Sequence, residues 1–83
     1  MKLLYFAWLR QKIGVSEEAI ALPSAVNTVA GVIDLLRRRG AGYEAAFGDL
    51  KLLRVAVNQQ HTNFEAKIGA DDEVAFFPPV TGG

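Results

Sequence analysis

Thr28-Val29-Ala30-Gly31-Val32-Ile33-Asp34-Leu35-Leu36-Arg37-Arg38-Arg39-Gly40 is the stretch on which the fold turns. Thr28 offers a hydroxyl to cap the first turn, and Val29, Val32, Ile33 and Leu36 recur at helical spacing. Gly40 supplies a stop. A helix over 29–39 with one apolar stripe is expected, and that stripe needs a flat apolar surface to cover.

The flanks supply such a surface. Upstream, residues 2–9 (KLLYFAWL) are rich in aromatic and aliphatic side chains and too short for a stable helix, so they are expected as a strand. Gly14 marks a turn, and residues 17–22 (EEAIAL) form a second, antiparallel strand that ends at Pro23, which cannot donate to a ladder. Downstream, 43–47 add a short helical turn. Residues 52–58 (LLRVAVN) are a third strand in which Leu53, Val55 and Val57 alternate with Arg54, Ala56 and Asn58. Residues 63–68 are irregular or a short edge strand, and 73–77 (EVAFF) form the last strand, ended by Pro78. A crossover helix between two strand pairs predicts an α+β chain: a mixed sheet of four to five strands with one main helix across one face, the ubiquitin-like β-grasp arrangement. Residues 1–83 are expected as one domain with an extended tail over 78–83.

Composition narrows the function classes. Eighty-three residues hold one core, and a pocket of several hundred cubic ångströms would consume much of it, so an enzyme complete in one chain is not expected. Nine basic residues balance nine acidic ones, which leaves nothing to draw the chain to nucleic acid or an anionic membrane. The apolar run near the start is short and is followed by Arg10, Gln11 and Lys12, unlike a signal peptide or a membrane span. With no cysteine there is no disulfide, thiolate metal site or cysteine nucleophile, which suits the cytoplasm.

Two features carry chemistry. The first strand is apolar in both phases, with Leu3, Tyr5, Ala7 and Leu9 on one side and Leu4, Phe6 and Trp8 on the other. The last strand repeats this, with Val74 and Phe76 against Ala75 and Phe77. One helix covers one face, so Leu4, Phe6, Trp8 and Phe77 are expected to form a partner-binding surface. The competing reading is that loops bury both phases. The second feature is the end of the chain, Pro78-Pro79-Val80-Thr81-Gly82-Gly83. Two prolines stop the ladder and favour an extended course, and two glycines remove every side chain beside a carboxylate that a nucleophile can then reach. Gly-Gly alone is also an ordinary frayed end; after Pro-Pro and an aromatic strand it points to a tail that delivers its own terminus.

Other candidates are weaker. His61 is the only histidine and has no cysteine beside it, so a surface or turn position is expected rather than a metal ligand. Arg37, Arg38 and Arg39 suit the negative end of a helix dipole, with docking to an acidic partner as the minority reading. Asp71, Asp72 and Glu73 enter a strand at a turn, where acidic residues are common. Gly40 and Gly42 lack the strand and long helix that a dinucleotide site requires.

Leu4-Tyr5-Phe6-Ala7 with Leu9-Arg10, Val55-Ala56-Val57-Asn58-Gln59, and above all Asp72-Glu73-Val74-Ala75-Phe76-Phe77-Pro78-Pro79-Val80-Thr81-Gly82-Gly83 resemble the small, sulfur-carrying subunits of molybdopterin synthase. The likeness covers essentially the whole chain. It implies that an activating enzyme adenylates the Gly83 carboxylate with ATP and that sulfur then replaces the adenylate, leaving a C-terminal thiocarboxylate (1-thioglycine). It implies further that the tail, Pro78 through Gly83, enters the large subunit of molybdopterin synthase, where two loaded carriers in turn convert cyclic pyranopterin monophosphate into molybdopterin. Related synthases are heterotetramers. No bound cofactor is implied, Gly82 gives access to Gly83, and Phe6 and Phe77 match the family's apolar contact surface. The chain departs from the family at His61, which replaces a commonly apolar residue near that surface, at Trp8, usually polar, and at Ala70-Asp71-Asp72, which lacks a customary glycine. Carriers for thiazole synthesis or tRNA thiolation share the fold and the Gly-Gly terminus, and a ubiquitin-like protein modifier or a plain interaction module are the readings from other classes.

Overall fold

The computed structural model describes residues 1–79. The central helix forms as expected. In α2 (Val29–Arg37) the Thr28 hydroxyl accepts the Gly31 N–H at 3.1 Å, and Val29, Val32, Ile33 and Leu36 are all buried. The helix stops two residues earlier than expected, and Gly40 is an extended residue that opens the next helix rather than a left-handed cap of this one.

Five strands form one mixed sheet: β1 (Lys2–Tyr5), β2 (Glu17–Ala19), β3 (Arg54–Val57), β4 (Gln60–Thr62) and β5 (Glu73–Phe77), in the spatial order β2-β1-β5-β3-β4. The central pair, β1 and β5, is parallel, and every other pairing is antiparallel. First and last strands thus lie side by side, with the helices between them in sequence, which is the β-grasp topology.

One face of this sheet carries the core. Leu3, Tyr5, Val55, Val74 and Phe76 point into it and meet the stripe of α2. Phe47 closes the middle, its ring edge-on to Phe76 at 5.0 Å and to Tyr5 at 6.4 Å. It is carried by α3 (Ala41–Phe47), where a short helical turn was expected. Glycine at 42 is required by a close approach, because a Cβ there would run into the Lys12 carbonyl oxygen.

The first strand is shorter than expected. The chain leaves the sheet after Tyr5, turns through Ala7 at φ 55°, and runs into α1 (Trp8–Ile13), which ends at Gly14 in a left-handed C-cap. Leu9 is fully buried, and Trp8 and Ile13 pack on the core's rim, so tertiary burial selects the helix. Trp8 therefore does not share a strand phase with Leu4 and Phe6. The second strand ends at Ala19 rather than at 22, and Leu52 belongs to a 3-10 turn (Leu50–Leu52) before β3. The edge strand lies at Gln60–Thr62, not at 63–68. It is set by a two-residue turn in which Asn58 and Gln59 both have positive φ, 50° and 69°, the conformation that tight hairpins favour.

Candidate functional site

Among the described residues no helix covers the second face of the sheet, and the residues of that face follow from the register. His61, Ala56, Ala75, Leu4 and Glu17 form one row across all five strands. Beside it, Arg54 lies opposite Phe77, and Phe6, whose N–H bonds to the Phe76 carbonyl at 3.1 Å, continues next to Phe77. Toward the opposite end of the face stand Lys2, Glu17 and Glu73, with Lys2 and Glu17 paired at 3.2 Å. One end of the open face is therefore largely apolar, with Arg54 at its margin, and the other is charged.

The apolar end is a shallow trough of about 520 Å³ bounded by Phe6, His61, Ala75, Phe77, Pro78 and Pro79. Alanine at 75 keeps its floor low, so the larger rings stand up around it. Phe6 is 49% exposed, whereas Leu4 and Phe77 are half-buried, and loops do not cover both phases of the first strand. The His61 and Phe77 rings are 5.1 Å apart and tilted by 55°.

Of the residues expected at a partner surface, Phe6, Phe77, Pro78 and Pro79 meet at this trough, and Leu4 lies on the same face one row away. Trp8 sits instead in α1, against the core. Val80, Thr81, Gly82 and Gly83 lie outside the described residues. The two prolines that lead to them form part of the trough wall, so the chain leaves the sheet from the apolar end. The family resemblance placed His61 near this surface, and the residues read alone did not; Ala56 was missed as a member of the face, and Asn58 at the first turn position was the one local signal of the hairpin that carries His61.

The remaining polar clusters hold the fold together. Glu18, on the core side of β2, accepts the hydroxyls of Tyr5 and Tyr43, each at 2.8 Å, and Arg39 at 3.1 Å. Burial, followed by the hydrogen bond to Glu18, drives the ionisation of Tyr5 far above its ordinary range, and the same causes raise that of Tyr43. Arg37 donates two hydrogen bonds to Glu44, at 2.8 and 2.7 Å, and these hold the exposed Glu44 carboxyl below its usual range. Two of the three consecutive arginines are thus engaged with this chain's own acids, which disfavours the arginine run as a docking patch. Asp72 accepts from Asn58 and from the Gly69 N–H, which lowers its carboxyl, and Asn58 accepts the Glu73 N–H. The acidic run at 71–73 thereby ties the hairpin turn to the entrance of β5. Among the described residues, no three of His, Cys, Asp and Glu gather closely enough to hold a metal ion, and no helix is long and apolar enough to cross a membrane.

Comparison with known proteins matches residues 3–83 to the model of the ThiS family. The molybdopterin synthase sulfur carrier subunit of Haemophilus influenzae is 41% identical over 83 residues, spanning 100% of this chain and 99% of its own length. That of Escherichia coli is 37% identical with the same coverage. Among solved structures, a putative molybdopterin converting factor subunit 1 from Pyrococcus furiosus superposes with a TM-score of 0.69 at 27% identity, over 95% of each chain.

Proposed function

The chain belongs to the ThiS family, and from that premise we propose that it is the sulfur carrier for molybdopterin synthesis, with the terminal carboxyl group of Gly83 as its working group. One observation supports this reading most. The exposed apolar end of the sheet and the point where the chain departs toward Gly82 and Gly83 are the same place, walled by Pro78 and Pro79. A partner seated on Phe6 and Phe77 would receive the tail beside its own contact surface, so that docking and delivery are one event.

The chemistry follows from the terminus. A carboxylate is a poor acyl donor because its leaving group would be oxide. ATP consumed by an activating enzyme converts it to an acyl adenylate with release of pyrophosphate. Sulfur delivered at the oxidation level of sulfide then attacks the carbonyl carbon as hydrosulfide and expels AMP, leaving the thiocarboxylate and a proton. Glycine at 82 and 83 puts no side chain of its own beside that carbonyl. The large subunit of molybdopterin synthase then takes the tail, and the sulfur passes to cyclic pyranopterin monophosphate in two rounds, each by a freshly loaded carrier. Catalytic side chains belong to the partners, and this chain contributes docking, reach and the reacting group. On this reading residues 1–83 work as one domain in the cytoplasm, with 78–83 as the delivered tail.

A variant lacking Gly82 and Gly83 should fold normally and fail to support molybdopterin formation in a reconstituted reaction with the large subunit, the activating enzyme and a sulfur source. Sulfur transfer retained by that variant would refute the assignment. A carrier for thiazole synthesis would instead copurify with a thiazole synthase.

A further inference from the structure

The trough contains one group that an apolar docking surface does not need. His61 projects from the edge strand β4 into the row of Ala56, Ala75 and Leu4, with its ring against Phe77. It is exposed, and no hydrogen bond or ion pair among the described residues involves it. From β3 the facing charge is Arg54, whose guanidinium donates to the Leu53 carbonyl. From β5 it is Glu73, at the far end of the strand from Phe77. β1 and β2 offer Lys2 and Glu17, which pair with each other. No other charged side chain projects from β4, and among the described residues no carboxylate is paired with the imidazole.

We propose that His61 makes docking at this face proton-dependent, so that the neutral ring packs with Phe6 and Phe77 against the partner and the imidazolium opposes that packing. The inference rests on the docking reading given above. Histidine is the side chain whose charge changes between about pH 5 and 8. In the free carrier an imidazolium at position 61 keeps its water and lies against the Phe77 ring, which tolerates a cation. Against an apolar partner it loses that water and gains no counter-charge from the described residues of this face, and an unpaired charge taken out of water is strongly disfavoured. The same ring when neutral is a modest apolar surface with one donor and one acceptor. Docking therefore selects the neutral form, and binding takes up the free-energy difference between the two.

The test compares binding of the large subunit to the wild-type carrier, His61→Leu and His61→Gln by calorimetry at about pH 8 and about pH 5.5. The wild-type Kd should rise on the order of tenfold at the lower pH, the scale of a histidine-dependent interaction across that range. Both variants, uncharged at either pH, should lose that increment and bind with a nearly flat profile. An equal weakening in all three carriers would overturn the inference by placing the titrating group elsewhere. So would a wild-type affinity that increases on acidification, since the partner would then present an acid to the imidazolium. Absence of binding by all three at about pH 8 would refute the docking reading itself, a failure distinct from either of these.

Discussion

Phe6→Ala separates docking from folding. The residue is 49% exposed, and a phenylalanine side chain offers ~150–250 Å² in all, so about 100 Å² stands outside the core. At ~25 cal/mol per Å² its burial against a partner is worth about 2.5 kcal/mol, or roughly a sixtyfold increase in Kd for the large subunit when the ring is removed. The backbone is unaffected, because the bond from the Phe6 N–H to the Phe76 carbonyl survives the substitution. Folding stability should therefore fall by no more than about 1–2 kcal/mol, the range for losing partial rim contacts. Phe76→Ala supplies the contrast. That ring is 0% exposed and packs between Tyr5 and Phe47, so its loss should lower folding stability by about 3–5 kcal/mol. Calorimetric titration read together with urea denaturation distinguishes the two. A Phe6→Ala carrier that is folded and binds within about twofold of wild type would refute the assignment of the open face as the docking surface.

Two further perturbations probe the scaffold. Gly42→Ala forces a Cβ against the Lys12 carbonyl and must push α3 off α1, so urea denaturation should show a loss of about 1–3 kcal/mol; an unchanged midpoint would contradict that close approach. Tyr5 holds its proton in the folded state at a pH where the unfolded chain has released it, so this contribution is intact below about pH 10 and falls as pH rises beyond it, by up to ~1.4 kcal/mol per pH unit. Tyr5→Phe should be less stable near neutrality, having lost the bond to Glu18, and should show a shallower alkaline decline; stability curves of equal slope above about pH 10 would contradict the linkage.

The stripe of α2 was legible in the sequence because four residues at helical spacing have a single solution when a sheet lies beneath them. The apolar character of the open face was legible because β1 and β5 carry large side chains in both phases and only one phase can be covered. The start of α1 was hidden for a related reason. An aromatic run fits a strand locally, and the turn at Ala7 adopts a positive φ that alanine rarely takes, so only the burial of Leu9 and the packing of Trp8 determine it. The β3–β4 hairpin was hidden because its second turn residue is Gln59 rather than the glycine that usually marks such a turn. Without that hairpin, the family resemblance alone placed His61 near the apolar surface. The Glu18 node joins β1, β2, α2's C-terminal end and α3 through residues as far as 25 positions apart, a separation at which no local pattern signals contact.

The central claim concerns a single functional group, so its most direct test is the intact mass of the chain after incubation with ATP, an activating enzyme and a sulfur donor. The predicted result is exchange of one oxygen for one sulfur, located by fragmentation in the C-terminal peptide and absent when Gly83 is deleted. An unchanged mass, with the same enzyme loading a known carrier in parallel, would contradict the assignment of Gly83 as the sulfur-bearing residue.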